Sequence, residues 1–264
     1  DVLDTADNIA LEVAGVSNSG DELNSVDAND VINTVVVSGG DVDTADAGVI
    51  QSISGYDASG SNYEITDDVD AVIGAGNSVI ENVGVTKVNV TDVADATEGV
   101  SLNAYNANVD FDVSDNVASI SSVLIVSQLS NSTSHTSPGQ NGPGGTSQMK
   151  PVINTNGFVT NLDDANSVIV TSGVATVSEA DAIQEIAKYS GTASDYDITD
   201  TATALISAGD EVLNVAGVDI VTASDTSVNA NIGGDLAGFT ADIEFDVVDN
   251  AAGLIAEMGG ADVA

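Results

Sequence analysis

The sequence predicts an α/β repeat protein, a right-handed solenoid in which parallel β-strands alternate with short helices. Three observations carry this expectation: a long internal repeat, β-rich runs recurring at the spacing of one strand plus one short helix, and small-residue segments of helical spacing after each run.

The repeat emerges when the chain is laid on itself with position 34 against position 167. Positions 34–99 then fall on 167–232 without a gap, and 22 of those 66 positions are identical. With one added residue the match resumes, YNANVDFDVSDNVASI (105–120) lying on FTADIEFDVVDNAAGL (239–254). The opening DVLDTADNIA repeats the same element, which makes Asp4, Asp115 and Asp249 equivalent. The second of these intervals is longer than the first, and the excess falls in the Gly/Pro/Ser/Thr-rich stretch 127–151, an insertion into the repeated frame. The chain therefore divides into the end of a preceding repeat (1–33), a first copy (34–121), an inserted loop and connecting segment (122–166) and a second copy (167–264). Starting and ending at one phase of the repeat reads as a piece of a longer array.

Within the first copy, strands are expected near 35–38, 63–67, 86–91 and 109–114. The second copy repeats them near 168–171, 196–199, 218–223 and 243–248. In YEITD (63–67) and YDITD (196–200) the tyrosine and isoleucine share one face, because successive side chains of a strand point to opposite sides. Asp67 and Asp200 then stand where a helix N-cap is wanted. Ala71, Val72, Ala75 and Val79 follow at helical spacing, matched by Ala204, Leu205, Ala208 and Val212. Ser178 with Asp181 reads as a variant capping box. The competing architecture is a pair of tandem antiparallel β-sandwich domains, which the period from Asp4 to Asp115 also suits.

Composition narrows the function classes. The chain has 42 acidic residues against three lysines and no arginine, a net charge of −39, which opposes nucleic-acid binding along the whole surface. No apolar run approaches the roughly 18 residues needed to span a bilayer, so membrane insertion is not expected. With 42% hydrophobic residues the chain can nevertheless build a core. There is no cysteine, hence no disulfide or thiolate site. Residue 1 is Asp and no signal sequence opens the chain, as in a processed protein or an excised segment.

The Tyr-Asp-Ile-Thr-Asp type strand, followed by an Ala-rich segment and a Val-Thr-Asp type strand, resembles repeats in very large secreted bacterial surface proteins, particularly marine cyanobacterial ones. The resemblance covers most of the chain outside 127–160. It implies an extracellular or cell-surface location in a surface layer, adhesin or motility-associated coat, usually with calcium. The glycine-rich calcium nonapeptide GGxGxD does not recur: Gly39-Gly40-Asp41-Val42-Asp43 faces Ser172-Gly173-Val174-Ala175-Thr176, which lacks both acids.

The chemistry-bearing residues are few. His135 is the sole histidine and has no evident orienting partner for nucleophilic catalysis. The acids recur with the repeat, as structural features do, and no pair stands out for general acid–base work. No enzyme is expected. Calcium is the sharper expectation, since hard cations take clustered carboxylates: Asp110, Asp112 and Asp115, matched by Glu244, Asp246 and Asp249, are the candidate ligands. Tyr56, Tyr63, Tyr105 and Phe111 pair with Tyr189, Tyr196, Phe239 and Phe245 as core layers. Phe158 is unpaired. Lys87 falls opposite Ile220 and reads as a lysine whose stem lies along an apolar face. Asn89-Val90-Thr91 and Asn131-Ser132-Thr133 match the glycosylation sequon. The expected function is a structural array, a surface layer, rod or filament held by self-association. The alternatives are an adhesin that binds a cell-surface glycan through the 127–160 loop, or a virion fibre or decoration protein.

Overall fold

The computed structural model describes residues 2–13, 34–132 and 161–260. Its chain forms two compact units, Asp1–Val113 with Asp164–Asn166, and Ser114–Asp163 with Ser167–Ala264.

In the first unit β1 (Val2–Asp4), α1 (Ala6–Val13), β2 (Val35–Val42), α2 (Thr44–Ser52) and β3 (Asn62–Asp67) are followed by α3 (Val69–Ala75), α4 (Asn77–Ile80), β4 (Val85–Ala94), α5 (Ala96–Asn103) and β5 (Val109–Asp115). The strands lie side by side in chain order, each parallel to the next. The second unit holds α6 (Val117–Ser132), β6 (Ser167–Val170), β7 (Val174–Ala175), α7 (Val177–Gln184), β8 (Tyr196–Asp200) and α8 (Ala202–Ala208). It continues with α9 (Asp210–Leu213), β9 (Val218–Ala223), α10 (Ala230–Ala237), β10 (Ile243–Glu244) and α11 (Ala251–Gly260). Its strands β7 to β10 are again parallel in chain order. Parallel strands alternating with helices are thus the architecture. The antiparallel sandwich is set aside, since it requires hairpin pairings and the ladders of both units are parallel.

Alternation along the strands builds the core. Tyr63 and Ile65 of β3, Tyr196 and Ile198 of β8, and Val109, Phe111 and Val113 of β5 are buried, while Glu64 is exposed. A helix follows each strand except β6, which leads into β7, and the helices turn their first and fourth residues to this core in several cases: Val69 and Val72 in α3, Ala202 and Leu205 in α8.

The helices differ from expectation in three respects. The segment after β3 is not one helix, because Gly76 (φ 70°) breaks it into α3 and α4; Gly209 (φ 73°) does the same in the second unit. A positive φ costs a residue with a Cβ about 1 kcal/mol or more, and glycine avoids that. The buried face is consequently Val69, Val72 and Ile80 rather than Ala71, Ala75 and Val79. The capping box of α7 is Thr176 with Glu179, starting ahead of Ser178, and Asp95 with Glu98 makes a second one on α5. Helix α6 runs on to Ser132, so the start of the 127–151 insertion is helical. His135, Phe158 and the rest of the 127–160 loop beyond Ser132 lie outside the described residues.

The single-residue addition between copies is also placed. Asp92 and Asp225 keep the offset that lays position 34 on position 167, whereas the N-caps Asp95 and Asn229 stand one position further apart. The extra residue therefore sits between β9 and α10.

Candidate functional site

Several of the aspartates converge on helix N-termini. A helix begins with backbone N–H groups that have no partner within the helix, and a carboxylate there satisfies them and meets the positive end of the helix dipole. Each N-cap side chain accepts from the third residue of its own helix: Asp43 from Asp46, Asp68 from Ala71, Asp95 from Glu98, Thr201 from Ala204 and Asn229 from Ile232.

The residue just before the N-cap does something else. Asp67 Oδ1 accepts the amide of Asp68 at 2.9 Å, while Oδ2 reaches back one strand-plus-helix unit, or coil, and accepts from the amide (3.0 Å) and hydroxyl (2.7 Å) of Thr44, the first residue of α2. Asp200 repeats this, Oδ1 on Thr201 and Oδ2 on Val177, the first residue of α7. Asp249 holds Asn250 with Oδ1 and Ala230, the first residue of α10, with Oδ2. Asp92 and Asp225 likewise reach back to cap Val69 and Ala202, the first residues of α3 and α8. Each such helix start is thus doubly held, by its own N-cap and by an aspartate of the following coil. Asp67 and Asp200, expected as N-caps of the next helix, in fact cap the previous one.

These bonds set the titration of the groups. Partial burial works against ionisation of Asp67, but the donors of Thr44 and Asp68 outweigh it and hold its carboxyl below the usual aspartate value. Asp4 is held low by the Asn8 side chain and the Thr5 amide. Burial pushes the phenols of Tyr63 and Tyr196 upward. Both phenols accept from a glutamine, Gln51 or Gln184, which also donates to the carbonyl of Val79 or Val212.

The six acids expected to hold calcium are spread out. Asp110 and Asp112 stand on the outer face of β5, about 6.6 Å apart along the strand, and Asp115 lies at its end. Asp110 forms an ion pair with Lys87, so that lysine carries its charge to a carboxylate rather than to open solvent. Asp115 Oδ1 accepts from the amide and side chain of Asn116. Glu244 and Asp246 are exposed, and Asp249 serves the cap described above. Among the described residues no group of three or more His, Asp or Glu side chains is placed to share a metal ion. An open cleft of about 540 Å³ runs along β2 and β3, with Asp41 and Glu64 as its carboxylates and Gly39, Gly40 and Thr86 beside them. It holds no histidine, lysine or cysteine to complete a nucleophilic or acid–base set.

Of the paired aromatics, Tyr63, Tyr196, Phe111 and Tyr105 are buried, while Tyr56, Tyr189, Phe239 and Phe245 are half-buried. No helix among the described residues is long and apolar enough to cross a membrane. No protein-family model, curated protein or solved structure matches the chain.

Proposed function

We propose that this chain is a structural repeat protein whose coils stack as a right-handed solenoid and build an extracellular surface layer, rod or filament. The observation that carries the proposal is the use of the acids. Carboxylates that would mark a catalytic or chelating site in another protein are distributed along the coils, and Asp67, Asp92, Asp200, Asp225 and Asp249 each tie the start of one helix to the end of the following strand or to the segment after it. Side chains repeated in this way serve continuity of a stack, whereas a catalytic site needs different groups brought to one point. On this reading the chain is not an enzyme, and its net charge of −39 is suited to a salt-rich exterior that screens self-repulsion.

Electron tomography of the native source with a specific antibody tests this. Label on a periodic coat or on filaments is the expected result; label on dispersed, compact particles overturns it. The counter-charge forms part of the proposal. If calcium binds at Asp110, Asp112 and Asp115 or at Glu244, Asp246 and Asp249, it raises the melting temperature at constant ionic strength where magnesium does not. Equal responses to calcium, magnesium and matched sodium chloride leave screening as the whole effect.

A further inference from the structure

The chain carries three basic residues where an ordinary soluble chain of its length has roughly 30, and two of them, Lys87 and Lys188, stand among the described residues. Proteases of the trypsin class cut after such residues. They take the cationic side chain in an acidic pocket while the flanking backbone lies extended and unpaired along the enzyme.

At both lysines the backbone is already paired. Lys87 lies inside β4, an interior strand, in register with Glu64 of β3, and the amide of Val88, on the far side of the bond to be cut, donates to the Asn108 carbonyl at 2.9 Å. Val88 is 0% exposed, and the Lys87 ammonium is held by Asp110. Lys188 is exposed in the turn after α7, yet its carbonyl accepts from the Val168 amide at 2.9 Å, and the Tyr189 amide donates to the Ile186 carbonyl at 2.9 Å. Ile186, two residues before it, is 3% exposed, so drawing this segment into an enzyme pulls a core side chain into water. The repeat shows that the pairing does not depend on lysine. Position 87 falls on Ile220 and position 188 on Gly55, and the Val35 amide donates to the Gly55 carbonyl as that of Val168 does to Lys188.

We infer that the coils of this protein are closed to proteases that cut after basic residues, and that the scarcity of those residues serves the persistence of the folded chain among such enzymes. The inference stands apart from the array reading, because it applies to a free chain as to an assembled one. Cleavage in the native state requires a local opening that frees the segment, and its rate follows the population of the opened form when reclosing is fast. Loop tips without core side chains open readily, and neither lysine sits on one.

Native digestion with trypsin tests the inference, with the synthetic peptides 81–94 and 182–195 in the same solution as unfolded references for the same two bonds. Mass spectrometry follows the fragments that end at Lys87 and at Lys188. Each bond should be cut about a hundredfold or more slowly in the folded chain than in its peptide. Cleavage of either bond at a rate closer to that of its peptide overturns the inference.

Discussion

Asp67 binds Thr44 through both the amide and the hydroxyl, joining the end of one strand to the first turn of the helix in the coil before it. Asp67→Ala removes three acceptor contacts at once, including the one to Asp68. Loss of a helix cap costs about 0.5–2 kcal/mol, and the upper half of that range is expected here, measured by urea unfolding.

The same carboxylate gives a pH signature. Its folded pKa lies below the unfolded value of about 3.9, so its stabilisation is complete above that pH and is lost as pH falls through the lower, folded value. The stability margin of wild type over Asp67→Asn should therefore be constant from neutral pH down to about 5, then shrink on further acidification. A margin that grows toward acid would contradict the assignment.

Gly217 and Gly39 separate two costs of adding a side chain. Both have positive φ, at 98° and 79°, but a Cβ on Gly217 would lie 2.6 Å from the Tyr189 hydroxyl and 2.7 Å from the Gly191 carbonyl, whereas on Gly39 it meets nothing within 4 Å. Gly39→Ala should cost about 1–2 kcal/mol, the backbone strain alone. Gly217→Ala adds a backbone clash and should cost about 1–3 kcal/mol more. Thermal unfolding of both variants compares them directly.

The duplicated glutamine–tyrosine pairs predict matched variants. Tyr63→Phe and Tyr196→Phe each delete one buried acceptor and leave the glutamine bonded to Val79 or Val212. Each should lose about 1 kcal/mol, and the two losses should agree within about 0.5 kcal/mol. A loss confined to one copy would show that the two environments are not equivalent.

Much of the fold could be read from the sequence, and the failures have identifiable causes. Strands centred on Tyr63 and Tyr196 were legible because a period of two with β-branched and aromatic residues has few other readings. Their parallel order follows from a helical segment after each strand. The helix register was less legible: Ala71 and Ala75 keep helical spacing, but alanine does not tell a buried face from an exposed one, and Val69 joins the expected Val72 in the core. Gly76 was visible as a residue but not as a break, since an isolated glycine within helical spacing does not declare its positive φ. The caps were misplaced by one position because Asp67 and Asp68 are both good caps, and only the neighbouring coil decides which helix each serves. A partial sequence signal for the pairing does exist: an aspartate next to Asp, Thr or Asn at the strand end, as in Asp67-Asp68, Asp200-Thr201 and Asp249-Asn250, although Asp92, followed by Val93, makes the same bond without it.

Amide hydrogen exchange at Thr44 tests the central claim most directly, because a cap from the following coil protects that one N–H without belonging to its helix. In the wild type Thr44, Val69, Val177 and Ala202 should all be protected, although the first amides of a helix ordinarily exchange fast. Asp67→Ala should deprotect Thr44 by about tenfold or more while leaving Val177 and Ala202 unchanged in the other unit. Unaltered exchange at Thr44 in the folded variant would contradict the claim that the acids of this protein bind one coil to the next.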